Sequence, residues 1–309
     1  VHNDGANVKI TSPFVPWRQN MEKGYTLMHE HITIDLSGVK KDQDCRLDCF
    51  EETKAELCSL YQLGVRRILD VTNMGMGRNP KYVSRMEKAT GIRILQSTGF
   101  YKEPFLPDFV YSMSEMELAE LAEKELTEGI GDSGIKARVI GEFGTSKNIM
   151  TDMEKKVFHS MALAAVRTGA VVTTHTTLGT MALEQAEYLK QAGVKPEKII
   201  IGHLDLSQDP DYILSVLKEG VNIGFDTVGK NNYCPDQFRA ETLKRIAKEG
   251  FLGQVVLSMD ITRKTHLKEW GGLGYAYLFE TFLPMLRDYG LSEEQIDMLL
   301  INNPDRILN

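Results

Sequence analysis

Cysteine, long apolar runs and clustered positive charge are all scarce in this chain, and each shortage excludes something. The four cysteines, at 45, 49, 58 and 234, form no CxxC pair, which argues against a disulfide framework or a thiolate-held structural zinc. No stretch approaches the roughly 18 apolar residues of a membrane span. The opening segment VHNDGANVKITSPFVPW has neither the basic start nor the apolar core of a signal peptide. A cytoplasmic protein with no membrane partner is the expectation. A formal charge of −7 leaves no basic surface for a phosphate backbone, so no nucleic-acid partner is expected and a small molecule is. A glycine-rich dinucleotide loop is also missing, since GMGRNP (75–80) lacks the required spacing. With no low-complexity or Pro/Ser-rich linker, residues 1–309 are expected to form one domain, with 1–23 as an N-terminal extension or cap.

What the chain does have is a repeated pattern. Eight short β-rich runs, at 25–31, 65–73, 92–100, 137–145, 171–177, 198–205, 221–229 and 254–262, alternate with helix-like stretches. Between the first two, Leu47, Phe50, Leu57, Leu60 and Tyr61 share a helical face, predicting a helix over 47–63 with Gly64 as its cap. Asp209 followed by Pro210 predicts another helix start. The long connection 101–136 should hold a loop and a helix near EMELAELAEKEL. Eight β-then-α units with right-handed crossovers are satisfied by an α/β fold closed as a (β/α)8 TIM barrel.

In such a barrel, groups at the C-terminal ends of the strands converge on one face. Four of the seven histidines fall there: His29 and His31 at the first strand, His175 at the fifth and His203 at the sixth. Glu142 lies late in the fourth strand and Asp260 late in the eighth. Alternation sends residues i and i+2 to the same side, so His29 and His31 should point together toward the barrel mouth. Four imidazoles and two carboxylates are costly to bury unpaired, but they form an N/O ligand set for divalent metals. Six ligands exceed what one catalytic zinc with an open position takes. Two ions are therefore expected, zinc foremost, with manganese or cobalt as alternatives.

The stretches GYTLMHEHITIDLSG, STGFY, GEFGTS, THTTLGTMALEQ, GHLDL, FDTVGKNNYCPD and LSMDITRKTHLK occur in order from residue 24 onward. In them the chain resembles the phosphotriesterase family of the amidohydrolase superfamily, most closely its homology-protein branch. The resemblance implies that His29, His31 and Asp260 hold a more buried metal and His175 and His203 a more exposed one. Glu142 would bridge them, where many relatives use a carbamylated lysine. It implies a hydrolase that attacks an ester with a hydroxide shared by two metals, Asp260 taking and relaying the proton. Thr227 stands where paraoxon-type relatives place a relay histidine, and a homodimer is the implied assembly.

Substrate class must come from the loops. Arg78, Lys230, Arg263 and Lys264 lie just past strand ends, where they could grip an anion, and His266 and Tyr101 are further substrate-contact candidates. A lactone or carboxylate ester bearing a phosphate is the leading expectation, with phosphodiesters and phosphotriesters as alternatives. TatD-like nucleases share the ligand pattern, but the acidic balance argues against them. A protein that binds metal without turnover is the rival of a different class.

Overall fold

The computed structural model describes residues 24–309, and the expected extension at 1–23 lies outside them. Eight parallel strands run in chain order in one sheet. They are β1 (Tyr25–Glu30), β2 (Val65–Asp70), β3 (Arg93–Thr98), β4 (Val139–Thr145), β5 (Val171–Thr176), β6 (Ile199–Gly202), β7 (Asn222–Phe225) and β8 (Val255–Leu257). Each falls within one of the expected runs, so the TIM barrel read from the periodicity is the observed fold.

Seven helices follow the first seven strands in turn: Phe50–Gln62, Pro80–Thr90, Glu115–Thr127, Asp152–Thr168, Ala182–Gln191, Pro210–Lys218 and Asp236–Lys248. Their starts obey local chemistry. Asp209 accepts from the backbone of Asp211 and Tyr212, with Pro210 at the first helical position. Ser114 with Glu117, and Thr151 with Glu154, form reciprocal capping boxes. The helix expected over 47–63 begins instead at Phe50, because Leu47 pairs with Ile34 in a two-stranded antiparallel hairpin above β1. None of the described helices is long and apolar enough to cross a membrane.

The core has two parts. Outward-facing strand residues such as Leu27, Ile68 and Val172 pack under the helices. Met28, Leu69, Val139, Val171, Ile200 and Val256 form a second cluster, closed by Ile307 and Leu308 of the last helix. Those residues plug the end of the barrel opposite the strand C-termini, which leaves the other end to polar groups.

Candidate metal centre

β1 delivers His29 from within the strand and His31 just past its end, both buried. The strand is irregular here: its register with β2 shifts between Leu27 and Glu30, so Met28 fills the core while both imidazoles turn to the mouth. Glu142 sits in β4 next to Gly141, where a Cβ would lie 2.1 Å from the Thr173 carbonyl oxygen, so only glycine admits this approach of β4 to β5. His175 lies in β5. His203 follows β6 with φ +57°, and Asp260 follows β8 with φ +50°.

These six residues meet around Glu142. Its Oε2 stands 3.4 Å from His29 Nε2, 3.1 Å from His175 Nδ1 and 3.4 Å from His203 Nε2, while Oε1 stands 3.4 Å from His31 Nε2. Asp260 Oδ1 is 3.3 Å from His31 Nε2 and 3.8 Å from His29 Nε2. One carboxylate thus faces both halves of the cluster, Oε2 toward His29, His175 and His203 and Oε1 toward His31. His29 Nδ1 and Nε2 and His31 Nε2 are buried without a hydrogen-bond partner, an arrangement that costs free energy unless another group satisfies them. Two donors each about 2.1 Å from a tetrahedral cation stand about 3.4 Å apart. The observed separations match that edge, so the residues fit divalent metal. Two of the ligand groupings able to hold an ion, His29–His31–Glu142 and Glu142–His175–His203, share Glu142.

Electrostatics point the same way. Burial acts to raise the Glu142 carboxyl, but the imidazoles of His29, His175 and His203 around it hold it well below the usual range. Burial likewise opposes Asp260, whose carboxyl is held well down by Lys230, His31 and the other imidazoles. Burial depresses His31, yet Asp260 and Glu142 raise it to about 9. His175, pressed by burial and by His203, falls to about 4. The buried carboxylates favour positive charge in the cluster, a role a cation would fill.

Sequence reasoning missed the residues behind the cluster. Asp226, directly after β7, accepts from the His203 backbone N–H at 2.9 Å and lies 2.8 Å from His203 Nδ1 and 3.4 Å from His29 Nδ1. It orients the His203 ring and stands beside that of His29, one imidazole from each half, with both Nε2 atoms toward Glu142. Thr72 Oγ1 serves His31 Nδ1 at 2.8 Å in the same way. A carboxylate ending the seventh strand was the available signal for Asp226. Asp226→Asn should weaken metal affinity by about 10- to 100-fold, measured by titrating metal into stripped protein.

The proposed substrate contacts divide. Lys230 forms an ion pair with Asp260 Oδ2 at the cluster. Tyr101 Oη is 3.2 Å from His175 Nδ1, with its ring edge-on to that imidazole. His266 is half-buried, and burial together with Lys230 lowers it to about 4. Three cations expected to grip a substrate anion are engaged in ion pairs. Arg78 makes a two-pronged pair with buried Glu125, at 2.6 Å for each prong. Arg263 pairs with Asp42 at 2.7 Å and Asp44 at 3.3 Å, and Lys264 with Asp48 at 3.0 Å, fastening the β8 loop to the loop after β1. Opposite charge nearby outcompetes a free position at the mouth. Arg78→Ala should therefore cost about 3–5 kcal/mol of stability, by stranding Glu125, and leave KM unchanged; denaturant titration and steady-state kinetics check it. Thr227 is sealed into a buried network, donating to Asp205 at 2.5 Å and accepting from Arg239 at 2.8 Å.

A model of the phosphotriesterase family matches residues 16–308. A phosphotriesterase homology protein of Escherichia coli is 43% identical over 283 residues, 92% of this chain and 97% of its own length. The crystal structure of that Escherichia coli homology protein, complexed with phosphate in the active site, superposes with a TM-score of 0.91 at 42% identity, covering 93% of this chain and 99% of the other. A lactonase from Listeria monocytogenes superposes with a TM-score of 0.89 at 30% identity, over 94% and 95% of the two chains. A phospho-furanose lactonase of Mycoplasmopsis synoviae is 33% identical over 246 residues, 73% of this chain and 69% of its own.

Proposed function

Since the chain belongs to the phosphotriesterase family of metal-dependent hydrolases, we propose that it opens a lactone or cleaves a carboxylate ester carrying an anionic group, phosphate foremost. His29, His31 and Asp260 would hold one divalent ion, His175 and His203 a second, and Glu142 both; zinc is the first choice for an N/O set of this kind. When bound, the pair would supply Lewis acidity that polarises the carbonyl oxygen and acidifies water.

The protein's own groups do the rest. Asp260 stands as proton acceptor at the rim: as water adds to the carbonyl carbon and the C–O bond to the leaving oxygen breaks, the proton lost by water passes to Asp260 and then to that oxygen. Asp226 and Thr72 fix the imidazoles. Lys230 is the observation that carries the substrate class. An ammonium has three donors, and the pair with Asp260 uses one, leaving others beside the reacting centre for a substrate anion. Support also comes from the phosphate in the Escherichia coli relative and the phospho-furanose lactonase named above. A neutral organophosphate triester offers Lys230 no anion to hold, and Thr227 supplies no imidazole for relay.

Lys230→Ala should raise KM for a phosphorylated γ-lactone about tenfold or more and leave KM for the unphosphorylated lactone within about twofold. Steady-state kinetics on the two lactones decide it. Equal effects on both would remove the anion from the substrate.

A further inference from the structure

We propose that Glu30, between the two histidines of β1, is the positioning residue that fixes Asp260. The inference rests on Asp260 acting as proposed above.

Neighbouring strands are joined by parallel ladders from β1 through β8, but the described residues form no ladder between β8 and β1. That seam is closed by side-chain bonds instead. Glu30 Oε1 accepts from Ser258 Oγ at 2.9 Å and from the Met259 backbone N–H at 2.7 Å, and Oε2 accepts from the Ile261 N–H at 3.1 Å. Ser258 Oγ in turn accepts from the His29 N–H at 3.0 Å.

The carboxylate therefore brackets Asp260, holding the N–H on either side of it. Asp260 itself is in the left-handed region at φ +50°, where a non-glycine residue needs its surroundings to hold it. Glu30 is fully buried, and its two carboxyl oxygens together serve three donors. Glutamine at the same place has a single acceptor oxygen and turns an NH2 group toward one of those donors. The strand that supplies His29 and His31 thus also sets the backbone carrying their partner Asp260.

Glu30→Gln should lower kcat with KM held within about twofold and weaken zinc binding at one of two sites by about 10- to 100-fold, read by titrating zinc alone into metal-stripped protein. In the Asp260→Ala background, where no ligating side chain is left to position, the same change should add nothing to either loss. A further loss in the double variant, or wild-type zinc affinity and kcat in the single one, overturns the proposal. Amide exchange reads the bracket without metal or substrate, and so separates this idea from the hydrolase reading. In metal-free Glu30→Gln, exchange at Met259 and Ile261 should quicken about tenfold or more; unchanged protection overturns the proposal. Should Glu30→Gln fail to fold, Ser258→Ala removes one donor of the three. A fall in zinc affinity that vanishes in the Asp260→Ala background supports the role, and no fall, or an equal fall in both backgrounds, overturns it.

Discussion

Asp260→Asn should lower kcat by about two orders of magnitude or more while the protein still takes up two divalent ions at saturating metal. The substitution keeps the shape of the side chain and an oxygen that can face His31, where Asp260 Oδ1 now stands at 3.3 Å. What it removes is the basic oxygen able to take a proton, and the charge that Lys230 pairs with. Loss of turnover without loss of metal separates proton transfer from ligation. Elemental analysis beside steady-state kinetics gives both numbers. An unchanged rate would take Asp260 out of the chemistry.

The second large effect is expected of Glu142→Ala. Four imidazole nitrogens face the two oxygens of this carboxylate, and the rings crowd: the centroids of His203 lie 4.7 Å from those of His29 and 4.6 Å from those of His175. Removing the carboxylate that all four rings face leaves Asp226 beside His29 and His203 and Asp260 beside His29 and His31, and takes from His175 its carboxylate contact. Occupancy of both metals should fall together, and turnover with it by about 100-fold or more. Two ions still bound in Glu142→Ala would refute the bridge.

That these six residues would meet was legible in the sequence because the barrel converts a one-dimensional fact, a polar residue at the end of a strand, into a shared location. His175 and Glu142 needed nothing more than that. His29 needed more, since β1 departs from strict alternation by a register shift and reaches the same mouth regardless. Partners were not legible. Arg78 is 47 residues from Glu125, and Arg263 is 221 from Asp42; strand-end position says nothing about which carboxylate a long flexible cation will meet. Leu47 carried a helical pattern and joined a hairpin, because the loop after β1 offered Ile34 as a backbone partner. Asp226 and Glu30 went unread for a related reason. Their work is done on the backs of imidazoles and across the barrel seam, contacts that exist only after closure.

Everything proposed depends on the cluster around Glu142 holding a pair of metal ions. Wild-type protein, stripped and then reconstituted with zinc, manganese or cobalt and freed of excess ion, should carry two ions per chain by elemental analysis. A reconstituted protein that retains none, or only one with every ion offered, would contradict it.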